Sequence, residues 1–128
     1  DSQGNICNGN AYFIKSYNKE SNKFSDCIIV KNENEVIRND LCFKNESSNV
    51  WKIVPLKDSS GNNIKDKYTG ELEVYIESNF KFEDGTQRYF KQHYDNNGIS
   101  HESIVTNPTI WLFKSIVGDL VPNNLQSC

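Results

Sequence analysis

The chain has 128 residues, 14 basic and 17 acidic side chains for a net charge of −3, a hydrophobic fraction of 36%, an aromatic fraction of 12% and no methionine. That length sets a single domain, residues 1–128, as the expectation, with a modest core that leans on Tyr, Phe and Trp. The interspersed charges exclude a basic nucleic-acid footprint, and apolar runs no longer than a strand, such as Ile110-Trp111-Leu112-Phe113, exclude membrane insertion by a helix.

In chain order, residues 1–10 are polar and turn-rich, and residues 11–17 read as a first strand. Residues 18–25 form a polar loop. Residues 26–31 read as a second strand and, after the turn Asn32-Glu33-Asn34, residues 35–43 as its hairpin partner with a polar bend at Arg38-Asn39-Asp40. Residues 50–56 are a fourth strand in which Pro55 suits a strand end or an edge. Residues 58–69 are the longest polar stretch.

The clearest signal follows. In Glu71-Leu72-Glu73-Val74-Tyr75-Ile76-Glu77 apolar and charged residues alternate, which puts Leu72, Val74 and Ile76 on one face of a strand and the three glutamates on the other. The alternation of Phe80 and Phe82 with Lys81 and Glu83 extends it. Tight-turn signals at 83–86 and 95–98 bracket a strand over 87–94, and residues 99–106 and 109–116 complete the set around the break at Asn107-Pro108. The tail, 117–128, has room for a single helical turn near 123–127. The reading is all-β with little helix: an antiparallel up-and-down barrel of eight strands, which removes exposed edges, with a sandwich or β-trefoil as the competing solutions.

Cys7, Cys27, Cys42 and Cys128 fit no zinc spacing, and an even count reads as two disulfides in an oxidising compartment. Sequence leaves all three pairings open. The sequon Asn45-Glu46-Ser47 agrees with a secreted glycoprotein, and the abrupt polar start reads as a mature form whose leader is absent.

With these elements in place the chain resembles the lipocalins, secreted eight-stranded barrels that carry small hydrophobic molecules. Gly9-Asn10-Ala11-Tyr12-Phe13-Ile14 aligns with their first-strand G-x-W motif, with Ala11 in place of tryptophan. The 70–76 stretch resembles their K-L-x-V strand, and 88–96, 103–108 and 110–113 the strands after it. The arginine that follows the family's last strand falls here on Ser115, and the long C-terminal helix has no counterpart. The resemblance implies a Cys27–Cys128 bridge, which leaves Cys7 for Cys42. The first fourteen residues are also similar to the opening of plant Kunitz-type inhibitors, whose chains are longer and whose later motifs do not follow.

A barrel of eight strands is just wide enough to be filled or to hold one ligand. In the lipocalin-like reading Leu72, Val74, Ile76, Tyr89 and Trp111 point inward or line its floor, against a small hydrophobic or amphipathic ligand. The alternative is an interaction protein, a protease inhibitor or host-factor-binding effector, that works through the polar loops at 18–25 and 57–69 and meets a protein partner. A hydrolase or nuclease is the least favoured reading. His93 and His101 can face each other across the 95–98 hairpin with Lys91 nearby, as an acid–base pair requires, but two exposed histidines explain them as well. No phosphate loop, catalytic triad, metal cluster or cofactor motif is present, so a non-enzymatic chain without cofactor is expected.

Overall fold

The computed structural model describes residues 11–114. Within them the chain runs β1 (Tyr17–Asn18), β2 (Lys23–Phe24), β3 (Cys27–Val30), β4 (Val36–Asn39), a 3-10 turn (Ser47–Asn49), β5 (Trp51–Pro55), β6 (Leu72–Ser78), β7 (Tyr89–Tyr94), β8 (Ser100–Val105) and β9 (Trp111–Phe113). Every ladder is antiparallel. The all-β reading therefore stands.

Among the described residues no sheet closes into the expected eight-stranded barrel. The strands fall into three sheets: β1–β2, β3–β4, and a five-stranded sheet ordered β5–β6–β7–β8 with β9 also on β6. The reason lies in β6. Its first half pairs with β9, Leu72 opposite Phe113 and Val74 opposite Trp111. It meets β7 only near its end, at Glu77 and Tyr89, with the Ser78 amide donating to the Arg88 carbonyl. Elsewhere the sheets touch through isolated bridges, Tyr12 with Trp51 and Glu35 with Ser103, and through the Ile28 amide donating to Ile14. Such single links join sheets around a core without making one continuous wall.

Several strands are shorter than their sequence pattern. The expected first strand leaves only a bridge at Tyr12 before β1. Residues 80–82 do not prolong β6, because the Ser78 hydroxyl accepts the Phe80 amide at 3.1 Å and turns the chain. Phe82 then folds back to be buried in the core, with the Arg88 guanidinium 4.9 Å from its ring centre. Pro55 is the last residue of β5, where a missing donor costs least.

The core gathers Ile28, Val30, Trp51, Phe82, Phe90 and Ile104, with Ile14, Val36, Ile76 and Trp111 packed against it. Trp51, at 0% exposure, is its centre. Its indole N–H donates to the Ile28 carbonyl at 3.0 Å, its backbone N–H and C=O both pair with Tyr12, and Phe90 meets its ring edge-on at 5.7 Å. One short strand of the β3–β4 hairpin is thereby pinned to the main sheet.

β3 is buried at all four positions. On it Cys27 bonds to Cys42, Cα–Cα 5.9 Å, which corrects the expected Cys27–Cys128 pairing and with it Cys7–Cys42. The register explains the choice. Cys27 lies opposite Asn39, and three residues beyond β4 the chain has room to bend back to it. Asn49 supports that bend from its buried site, its side-chain oxygen accepting the Phe43 amide. Cys7, Cys128 and the helical turn expected at 123–127 lie outside the described residues.

Candidate functional site

Each residue expected to line a ligand site has a definite place. Val74 is buried, and Ile76 packs on the core from the same face of β6. Trp111, the cross-strand partner of Val74, stacks on Phe90 at 5.3 Å and donates its indole N–H to the Phe90 carbonyl at 3.2 Å. Leu72, paired with Phe113, stays half-buried. Tyr89 is not with them. Phe90 takes the core side of β7, so alternation turns Tyr89 to the opposite face, where its ring meets Tyr75 edge-on at 5.7 Å. Burial, with the charge of Glu77 as a lesser cause, raises the Tyr89 pKa above the ordinary phenol value. Leu72, Val74, Ile76 and Trp111 thus share one face of the sheet, from which Ile76 and Trp111 pack onto the Trp51–Phe90 core, and Tyr89 belongs to the opposite face.

A second locus is the β1–β2 hairpin, which starts at Tyr17, the end of the expected first strand, and otherwise occupies the stretch 18–25 expected to be a plain loop. Asn18 starts its turn by accepting the Glu20 and Ser21 amides on its side-chain oxygen. Asn22 supplies the left-handed residue, φ 59°, that asparagine tolerates and most side chains do not. The strands carry Tyr17 and Phe24 directly opposite each other, rings 5.0 Å apart, and the Tyr17 hydroxyl bonds to Asn22. Neither aromatic enters the core: Tyr17 is 37% and Phe24 49% exposed. The hairpin bends around an open recess of about 700 Å³ lined by Ser16, Tyr17, Lys19, Lys23, Phe24 and Ser25. Over 15–25 three lysines, Lys15, Lys19 and Lys23, face one acid, Glu20. The base of the hairpin is tied down at Ser16, whose hydroxyl accepts from Arg38 at 2.7 Å, and Arg38 in turn pairs with Glu102 on β8.

Of two other polar groups, the histidine pair was legible in sequence and Arg88 was not. His93 and His101 do face each other, as cross-strand partners on β7 and β8 with rings stacked at 5.3 Å, and both are exposed. Asp95 in the intervening turn meets His101 Nε2 at 2.8 Å, and that hydrogen bond is the main cause that holds the carboxyl below its usual range. Arg88 gave no signal in sequence. It is buried, donates to the Glu33 carbonyl at 2.6 Å and to Asp84 at 2.7 Å, and so anchors the 80–88 loop to the β3–β4 turn. The Asp84 carboxyl is lowered chiefly by the Thr86 amide.

In the 57–69 loop, Asp58 and Asp66 each gather backbone amides, and Tyr68 projects at 85% exposure with the Lys67 ammonium 5.1 Å from its ring centre. Asn45 is exposed in the turn after Cys42, open to solvent as a sequon asparagine must be. Among the described residues no group of three or more His, Cys, Asp or Glu is placed to hold a metal ion, and no helix is long and apolar enough to cross a membrane. No protein-family model matches the chain, and neither curated proteins nor solved structures provide a match.

Proposed function

We propose that this chain is a secreted binding protein that engages a protein partner through its projecting loops, with the β1–β2 hairpin as the principal contact. The observation that carries the reading is the Tyr17–Phe24 pair. Two aromatic rings in tilted contact on a hairpin, both outside the core, hold more apolar surface in water than a two-residue ladder needs. Tyrosine is among the side chains that dominate binding energy at interfaces, because a large area is presented by few rotatable bonds. The surrounding lysines suit an apolar pocket rimmed by acidic groups. The disulfide and the Asn45 sequon accord with an extracellular setting, and neither the hairpin nor the core carries a catalytic constellation.

A photo-crosslinking residue placed at Phe24, with one at the exposed Lys52 as control, tests this in the extracellular fluid of the native source. A saturable adduct is expected at position 24 alone, with loss of binding in the double variant Tyr17→Ser, Phe24→Ser. Equal labelling at both positions overturns the proposal.

The second reading is a lipocalin-like carrier of a small amphipathic ligand. It draws support from Leu72, Ile76 and Trp111, which remain half-buried on the inner face. An environment-sensitive lipid probe that binds saturably, and is lost in Trp111→Ala but not in the hairpin variant, would favour it.

A further inference from the structure

We propose that His93 and His101 together chelate a divalent transition-metal ion of the Zn²⁺ or Cu²⁺ class on the outer face of the β7–β8 hairpin. The chain contains two histidines in 128 residues, and the fold sets both at one point. They are direct cross-strand partners, with ring centroids 5.3 Å apart and planes within 21°. Both are exposed, so core packing does not account for the pairing. Directly opposed residues hold their Cβ atoms about 4.5–5.5 Å apart. Two imidazoles on that base reach a common ion at roughly 2.0–2.1 Å from each nitrogen after small side-chain rotations. Imidazole is the ligand type that suits zinc, copper and nickel rather than calcium or magnesium.

The turn supplies the supporting shell. Asp95 is fixed by the Asn97 amide at 2.8 Å and the Ile99 amide at 3.0 Å, and presents its other oxygen to His101 Nε2. An ionised carboxylate only accepts, so the Nε2 of neutral His101 carries the proton and its Nδ1 lone pair is left for the ion. This is the carboxylate–imidazole arrangement that orients metal-bound histidines. No third ligand closes a cage among the described residues, so water completes the coordination and the ion exchanges.

The probe is Zn²⁺ alone, added to the intact chain at pH 7.5, where ordinary imidazoles are neutral, with the ring resonances of both histidines followed by NMR. Both are expected to shift together and saturate at one ion per chain. His93→Ala and His101→Ala should each weaken binding by about tenfold or more, since the second imidazole acts at high effective concentration. Asp95→Asn should weaken it by only a few-fold. Shifts that fail to saturate, that involve one histidine only, or that persist with unchanged affinity in His93→Ala overturn the proposal. Circular dichroism of the variants guards against unfolding, and Lys91→Ala, which removes a cation from the same strand face, should not reduce affinity.

Discussion

Replacing Trp51 with phenylalanine separates the two ways this residue holds the fold together. The substitution keeps an aromatic ring against Phe90 but removes the indole N–H that donates to the Ile28 carbonyl. A buried carbonyl that loses its donor costs about 1–3 kcal/mol. The smaller ring also leaves a void of roughly 40 Å³, which at about 24 cal/mol per Å³ adds about 1 kcal/mol. The sum, about 2–4 kcal/mol, is a large share of the roughly 5–15 kcal/mol that stabilises a domain of this kind. Guanidinium denaturation with disulfides intact, followed by far-UV circular dichroism, measures it. Trp111 remains as a fluorescence reporter of the same transition. Leu112→Thr, on the exposed side of β9, is the control and should stay within about 0.5 kcal/mol of the parent. A loss below about 1 kcal/mol in Trp51→Phe would show that the indole bond does not couple β3 to β5 and that the core is centred elsewhere.

The remaining predictions concern single contacts. Proteolytic mapping without reduction should recover a peptide linked through Cys27 and Cys42, and removing that bridge, which spans 15 residues, should cost about 3 kcal/mol by loop entropy; recovery of Cys27 joined to Cys128 would refute the pairing. Arg88→Ala should destabilise by about 2–4 kcal/mol, because the Glu33 carbonyl and Asp84 lose a buried charged donor, and Arg88→Lys should recover little because a single ammonium cannot span the Glu33 carbonyl, the Asp84 carboxylate and the Thr86 hydroxyl, which the guanidinium reaches together. Asp66, Asp84 and Asp95 all have lowered pKa values, through amides of their own turns or through His101. Their stabilising contribution is therefore fully present above the unfolded carboxylate value near pH 4 and is lost as pH falls through the folded values below it. An acid titration by circular dichroism should show flat stability from pH 7 to about 5 and a decline below 4; a decline centred near pH 6 would refute that assignment.

The strand pattern was legible where one face is wet and the other dry. Val74 and Ile76 reach the core from the face that the alternation assigned to them, and the β7–β8 register follows from Asp95-Asn96-Asn97-Gly98, where Gly98 takes φ 76° as that turn requires. Closure was not legible, because it depends on which partner β6 chooses at each end, and Leu72–Val74 carry no mark of pairing with residues some 40 positions later. The Cys27–Cys42 bond was equally hidden, since spacing admits every pairing and only the β3–β4 register selects one. The hairpin was missed because its turn is built from Asn18 and Asn22 rather than from glycine, in a chain where asparagine is common everywhere. Tyr17 and Phe24 flanking that asparagine pair were the available signal. Arg88 looked like any surface arginine, and only its contacts across the fold distinguish it.

The divided pairing of β6 also sets an order of events during synthesis. Residues 72–78 leave the ribosome together with their β5 partner, 51–55, and can form that ladder at once. Their other edge has no complement at Leu72–Val74 until residues 111–113 have emerged. For that interval an apolar strand edge stays open to any passing chain, and the last ladder to close spans the longest separation in the sheet. The pace of synthesis and chaperone occupancy over this window, rather than the stability of the finished fold, would then govern how much chain reaches the native state.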